Sequence, residues 1–226
     1  HVLVKLKTKQ TIDSLVAEYP AETTIDYRGQ PEPDTHIYKI HFSRLGENII
    51  TVNHNGVEQT ILEFFSTEPL ETLYKKRSSH MAAYEQVQDP TKWYDGLFGE
   101  WDLRNGVLRT PDNTDGMDLP WWIYVICCDD PGNAHAPFLA GKNVRYPNQT
   151  EIAALEYHIE HYIWGGMQYT DTEYSPYGIL GVPTWHYNRT NDPDHFWRVF
   201  DYPHIVMLYY HMYEIARYYP DMVSYL

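Results

Sequence analysis

The sequence predicts an α+β protein, an N-terminal antiparallel β region followed by the helices of a partial α-toroid. Three observations predict it. A period-2 apolar pattern is confined to residues 1–66, helical spacing takes over from Thr67, and long aromatic-rich loops separate the helices. With 226 residues and 43% hydrophobic content, the chain suffices for one large domain or two small ones around packed cores.

In the β-sandwich-like region, 1–66, Val2, Val4 and Leu6 alternate with Lys5 and Lys7, the pattern of a half-buried strand. Ile37 to Phe42 makes a second apolar run. Asn48 to Asn53 and Val57 to Phe65 flank Asn55-Gly56, a hairpin signal because both central residues of a type I′ turn need positive φ. Tyr27 to Asp34 holds Gly29, Pro31 and Pro33 and reads as a loop.

In the helical toroid-like region, 67–226, Glu68-Pro69 opens a helix carrying Leu70, Leu73, Met81 and Tyr84, which ends before Asp89-Pro90. Thr150 or Asn148 caps a second helix with Ile152, Leu155, Ile159 and Tyr162 on one face, stopped by Gly165-Gly166. Asp201 caps a third, with Pro203 in its first turn, a stripe of Ile205, Leu208, Met212, Ile215 and Tyr219, and Pro220 as its stop. Pro120 to Cys128 fits a buried strand or a buried helix equally well.

Charge excludes one class of partner. Lys+Arg number 17 against 31 Asp+Glu, a net charge of −14, and no basic stripe exists to neutralise phosphates, so nucleic acid is not an expected partner. The longest apolar run falls well short of the roughly 20 residues that cross a bilayer, so no membrane span is expected. Cys127 and Cys128 are adjacent, where a mutual bridge would be strained, and read as small buried hydrophobes. The sequons at Asn148 and Asn188 fit a secreted or extracellular protein, or a periplasmic one. The start at His1, without a Met or a leader, reads as a processed chain or a piece of a longer one, whose remainder would then be a partner.

Two stretches carry the chemistry: KWYDGLFGEWDL (92–103) and GGMQYTDTEYSPYGILGVPTWHYN (165–188). Flat rings stack on the apolar faces of sugars, and a suitably spaced acid pair cleaves a glycosidic bond. The candidate acids are Asp95, Glu100 and Asp102 in the first stretch and Asp171 and Glu173 in the second. Their bland alternative is capping of turns at Gly96 and Gly99, or a solvated loop. Trp93, Tyr94, Trp101, Tyr169, Tyr177, Trp185 and His186 are candidate substrate contacts, with Asp118 at the mouth of the Pro120–Cys128 run. Which acid is donor and which is base depends on their separation in space.

Together with DYPHIVMLYYHMYEIARYYPDM (201–222), the segments WYDGLFGEWD (93–102) and GGMQYTDTEYSPYGILGVP (165–183) resemble the DUF5695 family of glycosidase-like proteins, over roughly residues 60–226. The resemblance implies a β-sandwich edge joined to an (α/α)6 toroid, a polysaccharide or oligosaccharide substrate, and glycoside hydrolase chemistry without a cofactor. A complete barrel needs more helices than the three or four read here, so the resemblance makes this the sandwich edge and the first third of a barrel. Two other classes stand beside the hydrolase: a non-catalytic glycan-binding module or fragment of a larger enzyme, and a polysaccharide lyase using Tyr and His, with His186, Tyr187, Tyr174 and Tyr177 as the matching residue types.

No metal site is expected. His158, Glu160 and His161 match no zinc spacing and read, with Glu156, as a solvated helix face. Asp112-Asn113-Thr114-Asp115-Gly116 lacks the terminal bidentate Glu of a calcium loop and reads as an Asx turn. His1 has nothing around it that resembles a copper brace.

Overall fold

The computed structural model describes residues 1–114, 132–168, 170, 177–179 and 202–224. Strands come first and helices after, in two units, His1–Leu73 and Tyr74–Leu226.

The first unit holds β1 (Val2–Lys7), β2 (Ile12–Ala17), β3 (Thr23–Glu32), β4 (Thr35–Phe42), β5 (Gly46–His54) and β6 (Glu58–Ser66). They form two antiparallel three-stranded sheets, ordered β1-β4-β3 and β2-β5-β6. Ile40 of one sheet and Ile50 of the other are fully buried in a shared core, flanked by Val2, Val4, Ile25 and Leu62. The β5–β6 hairpin turns at Asn55 (φ 47) and Gly56 (φ 78), the two positive φ values its dipeptide demands. One expectation is corrected. Residues 27–32 are strand, because β3 absorbs its irregular sequence as register shifts around Gly29 (φ 110) before turning at Asp34 (φ 61).

The second unit begins within α1 (Leu70–His80), which runs on into a π-helical turn, Met81–Glu85. A hairpin, β7 (Glu100–Asp102) with β8 (Val107–Arg109), follows. Among the described residues three helices come next: α2 (His135–Arg145), α3 (Gln149–His158) with its own π-helical turn Ile159–Ile163, and α4 (Tyr202–Tyr218). Asn148 caps α3, its side-chain oxygen accepting from Thr150 N at 3.0 Å and Glu151 N at 3.2 Å. The expected cap of α4, Asp201, and the Pro120–Cys128 run with its two cysteines lie outside the described residues. Leu97, Phe98, Leu139, Leu155, Ile163 and Leu208 sit at the centre of one core.

Sequence spacing did not reveal α2. Gly141 interrupts its middle, where a Cβ would meet His211 Nε2 of α4 at 3.2 Å, so the glycine serves close helix approach. None of the described helices is long and apolar enough to cross a membrane.

Candidate functional site

Loop 86–99 joins the π-helical turn of α1 to the β7–β8 hairpin. Gly99 N donates to Glu85 O at 2.9 Å, Val87 N to Leu97 O at 2.8 Å, and Gln86 Nε2 to Ala154 O of α3 at 2.6 Å. A Cβ on Gly99 would collide with the Arg109 carbonyl, so the loop enters β7 only through glycine. Gly99→Ala should therefore cost about 1–3 kcal/mol of overpacking strain, read as a lowered urea midpoint.

The structure gathers Glu100 with residues the sequence had not pointed to. Arg77, His80 and Tyr84 lie at i, i+3 and i+7 along α1 and its π turn, and Glu85 ends that turn. Arg77 Nη1 donates to Glu85 Oε1 at 2.5 Å, while His80 Nε2 stands 3.9 Å from the same oxygen. Glu85 is 1% exposed, and its Oε2 is buried without a hydrogen-bond partner. His135, at the start of α2, brings Nε2 to 3.7 Å from Glu100 Oε1, and its Nδ1 is also buried without a partner. Trp101 meets the His80 ring edge-on at 5.1 Å, and Tyr84, 62% exposed, lies 6.3 Å from Trp101.

This setting moves the Glu100 proton. Burial raises its pKa most; the His135 charge comes next and lowers it, and smaller effects follow from Glu85, which raises it, and Arg77, which lowers it. Glu100 still keeps a side-chain exposure of 34%. A carboxyl raised above the ordinary range and within reach of solvent is equipped to donate that proton.

The other acids of the first stretch are engaged differently. Asp102 accepts from Arg109 Nε and Nη2, Asn105 Nδ2, and the backbone N–H groups of Arg104 and Asn105, so its carboxylate closes the β7–β8 turn. The Arg109 hydrogen bonds chiefly hold its pKa well below the carboxylate range. Asp95 is buried, accepting from Asp89 N at 2.8 Å and from the Tyr157 hydroxyl at 3.0 and 2.9 Å, with His161 Nδ1 3.0 Å from its Oδ2. Tyr94 is buried in the core, and its hydroxyl donates to Asp112, which Lys92 also holds. Trp93 packs half-buried against the same core.

In the second stretch, Tyr177 (φ 65, 56% exposed) stands 6.1 Å from the exposed ring of Trp164, a platform residue the sequence reading passed over. Asp118, Tyr169, Asp171, Glu173, Trp185 and His186, like Tyr174 and Tyr187, lie outside the described residues.

The face carrying the histidines is solvated only in part: Glu160 and His161 are exposed, whereas His158 and Glu156 are buried. His158 is buried between Phe98 and Tyr162 and its Nδ1 donates to Gly96 O at 2.8 Å; burial depresses its pKa to about 4. Glu156 is buried and accepts from Ser224 N and Oγ. Loop 86–99 and the C-terminal segment cover the buried part, which helical periodicity within α3 alone does not disclose.

The family model DUF5695, Family of unknown function, matches residues 2–225. No curated protein matches the chain. Among solved structures, Polysaccharide Lyase BACCELL_00875 superposes with a TM-score of 0.64 at 13% identity, covering 97% of this chain and 30% of that one. The likeness is one of fold, and this chain spans 30% of that protein's length.

Proposed function

The chain belongs to the DUF5695 family, and from that premise we propose that it cleaves glycosidic bonds in an oligo- or polysaccharide, Glu100 donating the proton to the departing oxygen. The observation that carries this reading is the Glu100 carboxyl, raised by burial yet partly open to solvent, with His135 Nε2 3.7 Å from its Oε1 and the next residue of the strand, Trp101, near the rings of His80 and Tyr84. Burial is the main cause of the raised Glu100 pKa; Glu85, held by Arg77, adds to it in smaller measure and has no need to touch the sugar. In hydrolysis the second carboxylate is drawn from Asp171 and Glu173, with Tyr177 and Trp164 as a further platform. The helices are read as part of an (α/α) toroid fronted by a β-sandwich edge. A secreted or extracellular location follows from a polymeric substrate.

β-Elimination is the second reading, favoured by the fold shared with a polysaccharide lyase. The products separate the two. Incubation with a panel of neutral and uronate-containing glycans, followed by mass analysis, gives saturated ends from hydrolysis and unsaturated uronate ends from elimination. No cleavage of any glycan would sink the proposal and leave a binding module. Trp101→Ala should weaken oligosaccharide binding by about 0.5–1.5 kcal/mol, up to roughly tenfold in Kd by calorimetry, because the sugar loses its flat partner.

A further inference from the structure

Hydrolysis requires an ionised carboxylate facing the bond, yet the acids of loop 86–99 and its hairpin, Glu100 apart, are engaged elsewhere: Asp102 with Arg109, Asp89 with Thr91, and Asp95 with Tyr157 and His161, as are their neighbours Glu85 with Arg77 and Asp112 with Lys92. What this region presents is an imidazole. His161 lies in the π-helical turn after α3, its ring stacked on Tyr157 at 3.9 Å and 14°, with 35% of its side chain exposed. Its Nδ1 faces a carboxylate only 8% exposed. An ionised carboxylate can only accept, so the neutral ring places its hydrogen on Nδ1 and its lone pair on Nε2.

Gly96 (φ 83) makes the arrangement feasible. A Cβ there would come within 3.1 Å of His161 Cβ and 3.2 Å of Tyr157 O, so only glycine lets the Asp95 turn settle onto α3. The contrast with His158 is instructive. One helical turn earlier, that ring is buried and its Nδ1 is spent on a backbone carbonyl.

We propose that His161 is the general base of the cleavage reaction, that Asp95 and Tyr157 are its positioning residues, and that the substrate class is therefore a uronate-containing polysaccharide cleaved by β-elimination. This rests on the cleavage reading above. In the step, His161 Nε2 takes the C5 proton of the uronate, and the C5–H electron pair becomes the C4–C5 double bond. The C4–O4 bond breaks with its pair on O4, which takes the Glu100 proton. Imidazolium and carboxylate then return to their starting states by exchange with water.

Two measurements test it. Long-range ¹H–¹⁵N NMR of the labelled chain should find His161 as the Nδ1–H tautomer, and Asp95→Asn should disturb that tautomer; an Nε2–H ring in the unaltered chain overturns the proposal. Assays on polygalacturonate and on a glucuronate-containing polymer should give unsaturated ends, with kcat reduced about 100-fold or more in His161→Gln. Circular dichroism establishes that this variant is folded. Saturated ends, or unsaturated ends formed by His161→Gln at the full rate, overturn the assignment of the base while cleavage itself stands. Absence of product from every polymer overturns the cleavage reading and the base together, whatever the tautomer.

Discussion

Glu100→Gln is expected to lower kcat by roughly 100- to 10,000-fold with little change in KM, the usual worth of a positioned proton donor. Glutamine keeps the shape and hydrogen-bonding capacity of the neutral acid and lacks only the proton to give. Glu100 has a raised pKa in the folded chain, so the active, protonated form persists to higher pH than an ordinary glutamate would allow, and activity falls as pH rises through that raised value. The same shift acts on stability. A buried acid with a raised pKa contributes fully below its unfolded value, and the contribution is lost as pH rises through the folded one. A pH–rate profile in which Glu100→Gln retains the alkaline fall of the unaltered chain would remove Glu100 from the donor role.

Lys142→Met is expected to destabilise the helical unit by about 3–5 kcal/mol, because it strands a buried charge. Lys142 Nζ lies 2.6 Å from Glu151 Oε2, with side-chain exposures of 5% and 2%. Asn143 Nδ2 and Ser79 Oγ also donate to this carboxylate, at 2.8 and 3.2 Å, and neither supplies a positive charge. Urea unfolding at neutral pH reads the loss. Lys142→Met combined with Glu151→Leu should recover much of it, since the charge that needed a partner is gone. If the double variant were no more stable than the single one, helix packing and not charge would be the cause.

The strand-first, helix-after order was legible because alternation in β1 and the Asn55-Gly56 turn are local signals, as is the N-cap at Asn148. What stayed hidden depended on contacts distant in sequence. β3 looked like a loop because Gly29 and Pro31 suit turns, and only pairing with β4 shows them inside a bulged strand. α2 lacked a clean stripe because Gly141 is selected by the approach of His211.

The same distinction divides the site. Aromatic and acidic density singled out residues 92–103, within which Trp101 lies near the His80 and Tyr84 rings and Glu100 near His135. That density could not tell Asp102, which closes a turn, from Asp95, which faces the His161 imidazole, because the difference lies in Arg109 and in Tyr157 and His161. Arg77, His80 and Tyr84 were findable from their helical spacing alone. Glu85 and His135 were not, since nothing in the sequence brings α2 to the end of α1.

Both helices that feed the site end in a π-helical turn, Met81–Glu85 and Ile159–Ile163. Such a turn accommodates one residue more than the α-helical register would, and each α-helical residue advances the chain by about 100°. Glu85 and His161 therefore owe their direction to a count of residues as much as to their own identity. Removing one residue from either turn would swing the side chain through more than a quarter of a circle while leaving every chemical group in place. In this architecture, insertion and deletion at the helix ends can re-aim the chemistry in ways that point substitution cannot.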